Sequence, residues 1–194
     1  MIEIEKKFQL QLGDEERLLA GAFFQKEVVI QDVYWDTPEF AMTGKDWWLR
    51  KRDGVWELKM ALHKTTSAVD RYRELEIEEE IRKAIGLNGN GTFEEDLVAA
   101  GYEIIIPLVT TRKKYRSGEF GIDIDATDFG FMVAEIELMV VDDAQMDQAA
   151  DQIMQFASDR GLFTGNVRGK ILEFLFRFRP GHYRALCDAG VARA

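Results

Sequence analysis

Charged residues recur at every second position in several short stretches of this chain. Glu3, Glu5 and Lys7 do so in 1–8, Arg50 and Arg52 in 48–52, and Glu74, Glu76 and Glu78 in 72–78. Arg112 and Lys114, Asp123 and Asp125, and Glu135 and Glu137 repeat the spacing further on. In a β-strand, alternate residues share a face, so each set forms a row. The rows are segregated by sign, and like charges side by side repel unless something compensates them. Arginine forks and lysine point charges suit an anion bearing several negative oxygens. Rows of hard carboxylate oxygens suit divalent cations such as Mg²⁺, Mn²⁺ or Ca²⁺. A polyphosphate accompanied by Mg²⁺ answers both demands.

The elements that must position these rows are mostly strands. About eight strand segments are legible, and opposite the charged rows they carry Ile2, Ile4 and Phe8, Val33 and Trp35, or Leu75 and Ile77. The second runs over 28–36 with Asp32, Tyr34 and Asp36 aligned, and Thr37-Pro38-Glu39 breaks it with Pro38 placed to open a helical turn. Asp53-Gly54 predicts a tight hairpin between 48–52 and 55–59. Helices are expected at 13–21 and at 92–100, where Thr92 and Glu95 form a capping box and Gly101 ends the helix. Two more are expected along the stripe Met146, Ala149, Ala150, Ile153 and Ala157, and over 170–178 with Pro180 marking the end.

Two architectures accommodate this pattern. One is a set of sheets with solvated outer faces, the commonest arrangement for antiparallel strands. The other is a closed antiparallel barrel with the charges inside and helices packed on its apolar exterior. Solvated faces mix Thr, Ser, Gln and Lys, whereas these positions are nearly all Glu, Asp, Arg or Lys. The expected fold is therefore α+β, a closed antiparallel barrel built from the roughly eight strand segments, with the charges inside and helices packed outside. Dry burial would cost several kcal/mol per charge, so the interior must hold water and ions.

At 194 residues the chain suits a single domain, 1–194. A net charge of -10 argues against unspecific binding to nucleic acid or anionic membranes. Cys187 is alone, which excludes an internal disulfide and points to a reducing compartment. There is no apolar run behind a basic N-terminal region and no stretch of membrane-spanning length, so a cytoplasmic protein is expected. Without coiled-coil heptads, a monomer is expected. His63 and His182 lack zinc-ligand spacing, and Cys187 reads as a buried thiol near the last helix and not as a nucleophile.

Glu3-Ile4-Glu5-Lys6-Lys7 matches the ExExK signature of the CYTH superfamily, the triphosphate tunnel metalloenzymes, which the chain resembles over nearly its whole length. Within that family it is most similar to the animal thiamine triphosphatases. Residues 32–39, Trp48-Leu49-Arg50-Lys51-Arg52, Trp56-Glu57-Leu58-Lys59, Ala126-Thr127-Asp128-Phe129-Gly130 and Arg177-Phe178-Arg179-Pro180 carry the match. Trp35 stands where mammalian members have a second tyrosine, and 61–70 diverges from them.

The resemblance implies an eight-stranded antiparallel barrel that forms a tunnel, and Mg²⁺-dependent (Mn²⁺ possible) hydrolysis of thiamine triphosphate to thiamine diphosphate and phosphate. It assigns Lys7, Arg50, Arg52, Lys59, Arg112 and Lys170 to the triphosphate, and Trp48 to packing on the thiamine part. Glu3, Glu5, Asp123, Asp125, Glu135 and Glu137 match the metal-binding carboxylates. Tyr34 and Lys59 match a tyrosine–lysine pair that helps activate water, with a lowered lysine pKa making Lys59 the base. By residue type alone, Trp48 reads more readily as a core or edge aromatic than as a ligand platform, and Tyr34 as a typical strand residue; only the resemblance reverses that. Glu57, Glu74, Glu76 and Glu78 are expected as ion-pair partners inside the tunnel, and Arg177 and Arg179 as structural. Asp36 is left between pairing with the basic row and capping the Pro38 turn. The competing functions are an inorganic or nucleoside triphosphatase, adenylate cyclisation on the same barrel, and a polyphosphate-binding module without catalysis.

Overall fold

The structure, a computed structural model, describes residues 2–62, 69–165 and 167–192. Eight strands, β1 (Ile2–Phe8), β2 (Phe23–Asp36), β3 (Trp47–Arg52), β4 (Val55–Ala61), β5 (Asp70–Leu75), β6 (Glu103–Ser117), β7 (Phe120–Thr127) and β8 (Met132–Val140), close into a barrel. Its order is β1-β5-β4-β3-β2-β6-β7-β8, and every neighbouring pair is antiparallel. The hairpin at Asp53-Gly54 forms as expected: Arg52 pairs with Val55, and both turn residues have positive φ, 47° and 91°. A two-residue turn of that kind matches the twist of the strands it joins. Pro107 lies inside β6 opposite Val33, next to the register shift at Tyr34/Trp35, where a missing ladder donor is tolerated.

Six helices, α1 (Asp14–Leu19), α2 (Glu78–Ile85), α3 (Phe93–Ala99), α4 (Met146–Asp159), α5 (Lys170–Phe178) and α6 (Pro180–Asp188), accompany the barrel. The apolar stripe of α4 packs Ile153 and Ala157 with Ile4, Phe8 and Ile136 of β1 and β8. Ile81 of α2 and Phe93 and Leu97 of α3 pack with Leu49, Leu58, Trp35 and Trp56. Leu175 of α5 and Tyr183 and Leu186 of α6 join Ile106 and Leu108 of β6. On β1, β3, β4 and β8 the alternation thus resolves as apolar side outward beneath helices and charged side inward, whereas Ile106 and Leu108 of β6 share the parity of Arg112 and meet α5 and α6 on the inward side.

Four expectations are corrected. β5 stops at Leu75, and Glu78 opens α2, where Glu78, Glu79 and Glu80 suit the positive end of the helix dipole. Glu78 pairs with Arg82 on the same helix and so belongs to the exterior, not to the tunnel. Pro38 lies in a turn without helix; the helical turn of this loop is a 3-10 turn at Thr43–Lys45. Pro180 does more than end α5, since it occupies the first turn of α6, where its missing N–H costs nothing. His63 and most of the loop at 63–70 lie outside the described residues. Among the described residues, no helix is long and apolar enough to cross a membrane.

Candidate active site

The barrel encloses a cavity of about 790 Å³. Lys7, Arg52 and Glu137, from three different strands, all line it, as do Glu3, Glu5, Tyr34, Trp48, Arg50, Lys59, Arg112, Glu135 and Lys170. Asp123 and Asp125 do not reach its surface. They are fully buried behind the basic residues and bind them from below.

The wall built from β2, β3, β6 and β7 is cationic and held by buried carboxylates. Arg112 donates Nε and Nη2 to the two oxygens of Asp125, both at 2.6 Å, and Nη2 also reaches Glu135 at 2.9 Å. Its Nη1 lies 2.5 Å from Asp123, which also accepts from Lys114 Nζ at 2.9 Å. Lys170, the first residue of α5, completes the group on Asp125. Burial opposes ionisation of Asp125, but Lys170 and Arg112 outweigh it and hold the carboxyl well below its usual range. Next along, Arg52 forks onto Asp32 at 2.8 and 3.0 Å. Arg50 donates to Glu57 at 2.7 Å and to the Tyr34 hydroxyl at 3.3 Å. Burial likewise opposes, and the arginines overcome, to lower the pKa of Asp32.

The wall built from β1, β4 and β5 is acid-rich. Lys59 donates to Glu3 and to Glu5, the latter at 2.7 Å, and has Glu74 at 3.7 Å and the Tyr72 ring centroid at 4.6 Å. Lys7 joins Glu5 and, at 3.0 Å, Asp70. Burial dominates at Glu3 and, with Glu5 and Glu74 nearby, pushes it up to about 8 despite Lys59. Glu5, with two lysines, is held low against the same burial. Glu137 is raised by burial and by Asp123, and shares a hydrogen bond with Glu3.

Lys59 is corrected as a base. Burial alone would lower its pKa, but Glu5, Glu3 and Glu74 surround it and raise it, so it stays an ammonium. The hydroxyl of Tyr34 meets Arg50, whereas the ring beside Lys59 is that of Tyr72.

Several contributors went unassigned in the sequence. Asp32 and Tyr72 share the parity of the charged rows in their strands, which is the signal that marks them. Gly121 shares the parity of Asp123 and Asp125, and a Cβ there would stand 2.6 Å from Glu137 Oε1, so the glycine makes room for that carboxylate. A Cβ on Gly169 would meet Lys7 Cε at 2.8 Å. Asp36 caps the β2–β3 loop: it accepts from the backbone N–H of Thr37, Met42 and Thr43 and from the Thr43 hydroxyl. That hydroxyl lies 2.8 Å from His182 Nε2, so the histidine is structural, stacked on Phe40. Arg177 pairs with Glu173 over Phe129. Cys187 is half-buried on α6.

Residues 1–169 match the CYTH domain. The chain is 31% identical over 213 residues to the thiamine-triphosphatase of Homo sapiens, covering 100% of this chain and 92% of the relative. The Macaca fascicularis thiamine-triphosphatase is 30% identical with the same coverage. Among solved structures, the PH1819 protein of Pyrococcus horikoshii OT3 shares the fold with a TM-score of 0.66, at 22% identity over 91% of this chain and 99% of that one. A Hippeastrum protein described as having a dominant triphosphatase activity superposes with a TM-score of 0.56, at 17% identity over 91% and 94%. A charge-lined closed barrel and a family match over most of the sequence agree, and the chain belongs to the CYTH family.

Proposed function

We propose that the chain is an Mg²⁺-dependent hydrolase of thiamine triphosphate, releasing thiamine diphosphate and phosphate. The observation that carries this reading is the convergence of Lys7, Arg50, Arg52, Arg112, Lys114 and Lys170 on one cavity large enough for a triphosphate. Their head groups are fixed by buried carboxylates before any ligand arrives, which is the preorganisation that offsets charge developing on a transferring phosphoryl group. Lys59, locked as an ammonium, donates to phosphate oxygens. The Tyr34 hydroxyl, which accepts from Arg50, keeps its own proton to donate to the ligand. Trp48 supplies an aromatic wall for the organic part; its indole is 8% exposed and lines the cavity.

The acid-rich wall fits a divalent cation. Burial first, and neighbouring carboxylates after it, hold Glu3 and Glu137 up, and on β7 Asp123 Oδ1 is buried with no hydrogen-bond partner among the described residues. Among the described residues no three such side chains cluster closely enough to ligate one ion by themselves. Mg²⁺ retains several waters and needs only one or two carboxylates, so Glu3, Glu137 and Glu135 are the residues that would hold it, directly or through water. When bound, the ion neutralises phosphate charge. Asp125, engaged by Arg112 and Lys170, acts instead as their anchor. The lone Cys187 and the acidic balance support a cytoplasmic protein without nucleic-acid or membrane partners.

The test is phosphate release from thiamine triphosphate, inorganic triphosphate and ATP, with and without Mg²⁺. Thiamine triphosphate with Mg²⁺ is expected to be fastest, and Trp48→Ala to lower its kcat/KM relative to inorganic triphosphate about tenfold. An unchanged ratio assigns the protein to inorganic triphosphate, and no release from any of the three sinks the hydrolase reading.

A further inference from the structure

Asp46 lines the cavity where β3 begins, beside the aromatic side chains of Trp48 and Tyr72. Asp32, Glu57, Glu74 and Glu135 each face a lysine or arginine. Among the described residues Asp46 has no ion pair: its Oδ1 accepts from Trp48 Nε1 at 2.7 Å and from the Tyr72 hydroxyl at 3.5 Å. Its backbone is left-handed, φ 61°, a conformation in which glycine would be unstrained and which aspartate and asparagine tolerate. The site thus presents a carboxylate with no direct ion pair, held between two aromatic side chains.

The strand register gives this site a direction. Trp48 pairs across β3–β4 with Lys59, Arg50 with Glu57, and Arg52 lies a further step away beside Asp32. A ligand held by its phosphates at Arg50, Arg52 and Arg112 extends its other end toward Trp48 and Asp46. We propose that Asp46 is a specificity-determining residue that supplies the counter-charge to a cationic aromatic head group, the organic end of the substrate, seated against Trp48. The inference rests on the triphosphatase reading and deepens it: thiamine carries a permanently charged thiazolium ring, whereas inorganic triphosphate has no organic head and ATP a neutral one. An aromatic face with a carboxylate at its rim is the arrangement that favours a desolvated organic cation. Burial, then Asp70 and Glu5, lift the Asp46 pKa to about 6 against the pull of Trp48 and Lys7, which leaves it ionised at pH 7.5.

The test separates charge from positioning. Asp46→Asn keeps the left-handed backbone and an oxygen to accept from Trp48, and removes only the charge. It is expected to lower the ratio of kcat/KM for thiamine triphosphate over inorganic triphosphate about tenfold, with the change in KM and not in kcat. Asp46→Ala, which also frees the indole, is expected to lower it further. A ratio unmoved by Asp46→Asn overturns the proposal. If the parent protein releases phosphate from no substrate, the hydrolase reading fails, and calorimetry with free thiamine decides this inference separately. Weaker binding to Asp46→Asn upholds it, and equal binding overturns it.

Discussion

The two walls of the tunnel solve the same problem in opposite ways. On the β6–β7 side, Asp123 and Asp125 are fully buried and are matched by Arg112, Lys114 and Lys170. On the β1–β4–β5 side, Glu3, Glu5 and Glu74 crowd one ammonium, Lys59, and one carboxyl takes up a proton instead. The first wall is balanced and rigid, built to present cations at fixed positions. The second is short of positive charge, and it is the wall that a proton, a metal ion or a change of pH can alter. Binding a polyanion against a rack that is already aligned avoids reorganisation during reaction. Binding a cation beside it requires unspent negative charge, which Glu3 of the second wall and Glu137 of the adjoining β8 supply.

The comparison breaks most visibly at Arg112. Arg112→Ala leaves Asp123 with Lys114 alone, Asp125 with Lys170 alone and Glu135 without its ion pair, and breaking a buried pair by removing one partner costs about 3–5 kcal/mol. Urea denaturation is expected to show that loss, and phosphate release to fall about a hundredfold or more. A stability loss under about 1 kcal/mol would mean that the wall is solvated and adaptable, and that the contrast between the two sides is false.

The acid-rich wall is sharpened by pH. An unfolded glutamate titrates near 4.5, and Glu3 in the folded chain at about 8, so between these values the folded state binds the extra proton. Stability contributed by Glu3 is therefore full below about pH 4.5 and is lost as pH rises toward 8. Glu5 is depressed, so its contribution is complete above its unfolded value and adds no slope here. His182 is lowered by burial, its effect has the opposite sign, and it ends near its ordinary value of 6.5. Asp46, raised to about 6, and Glu137, also raised, act in the same direction as Glu3, Asp46 mainly below pH 6.5; between pH 6.5 and 8 stability is expected to fall by about 1–2 kcal/mol. Glu3→Gln, measured by urea denaturation at each pH, is expected to flatten the slope. If the slope survives that substitution, the excess charge is not at Glu3.

Most of this architecture was legible because a strand period of two leaves no freedom: once Glu3 faces inward, so do Glu5 and Lys7. The same rule made the closed barrel readable, since rows so uniformly ionic have no reason to coat an exterior. It failed where a period of two ran into a helix. Glu74 and Glu76 continue as Glu78, and nothing in the alternation shows that the chain has turned from β5 into α2. It also failed for the Lys59 pKa, because that depends on which strands are neighbours. Sequence order puts β1 far from β4, yet the barrel order brings Glu3 and Glu5 onto Lys59 through β5. Asp46 was missed for a third reason. It sits between the 3-10 turn Thr43–Lys45 and β3, where no periodicity speaks for a residue.

The smallest expected effect tests whether the exterior is independent of both walls. Thr92 accepts from the Glu95 backbone N–H through its hydroxyl, and Glu95 Oε2 accepts in return from the Thr92 backbone N–H at 2.9 Å. This capping box starts α3, whose Phe93 and Leu97 pack on the outer face of β3 and β4. No residue of α3 lines the cavity. Thr92→Ala is therefore expected to cost about 1 kcal/mol in thermal or urea unfolding while leaving the kinetics of phosphate release alone. The strands that α3 covers also carry Arg50, Arg52 and Lys59 on their other side. A shift in KM on Thr92→Ala would show that helix packing outside sets the positions of cations inside, and the walls would then owe their order to the exterior as much as to their own ion pairs.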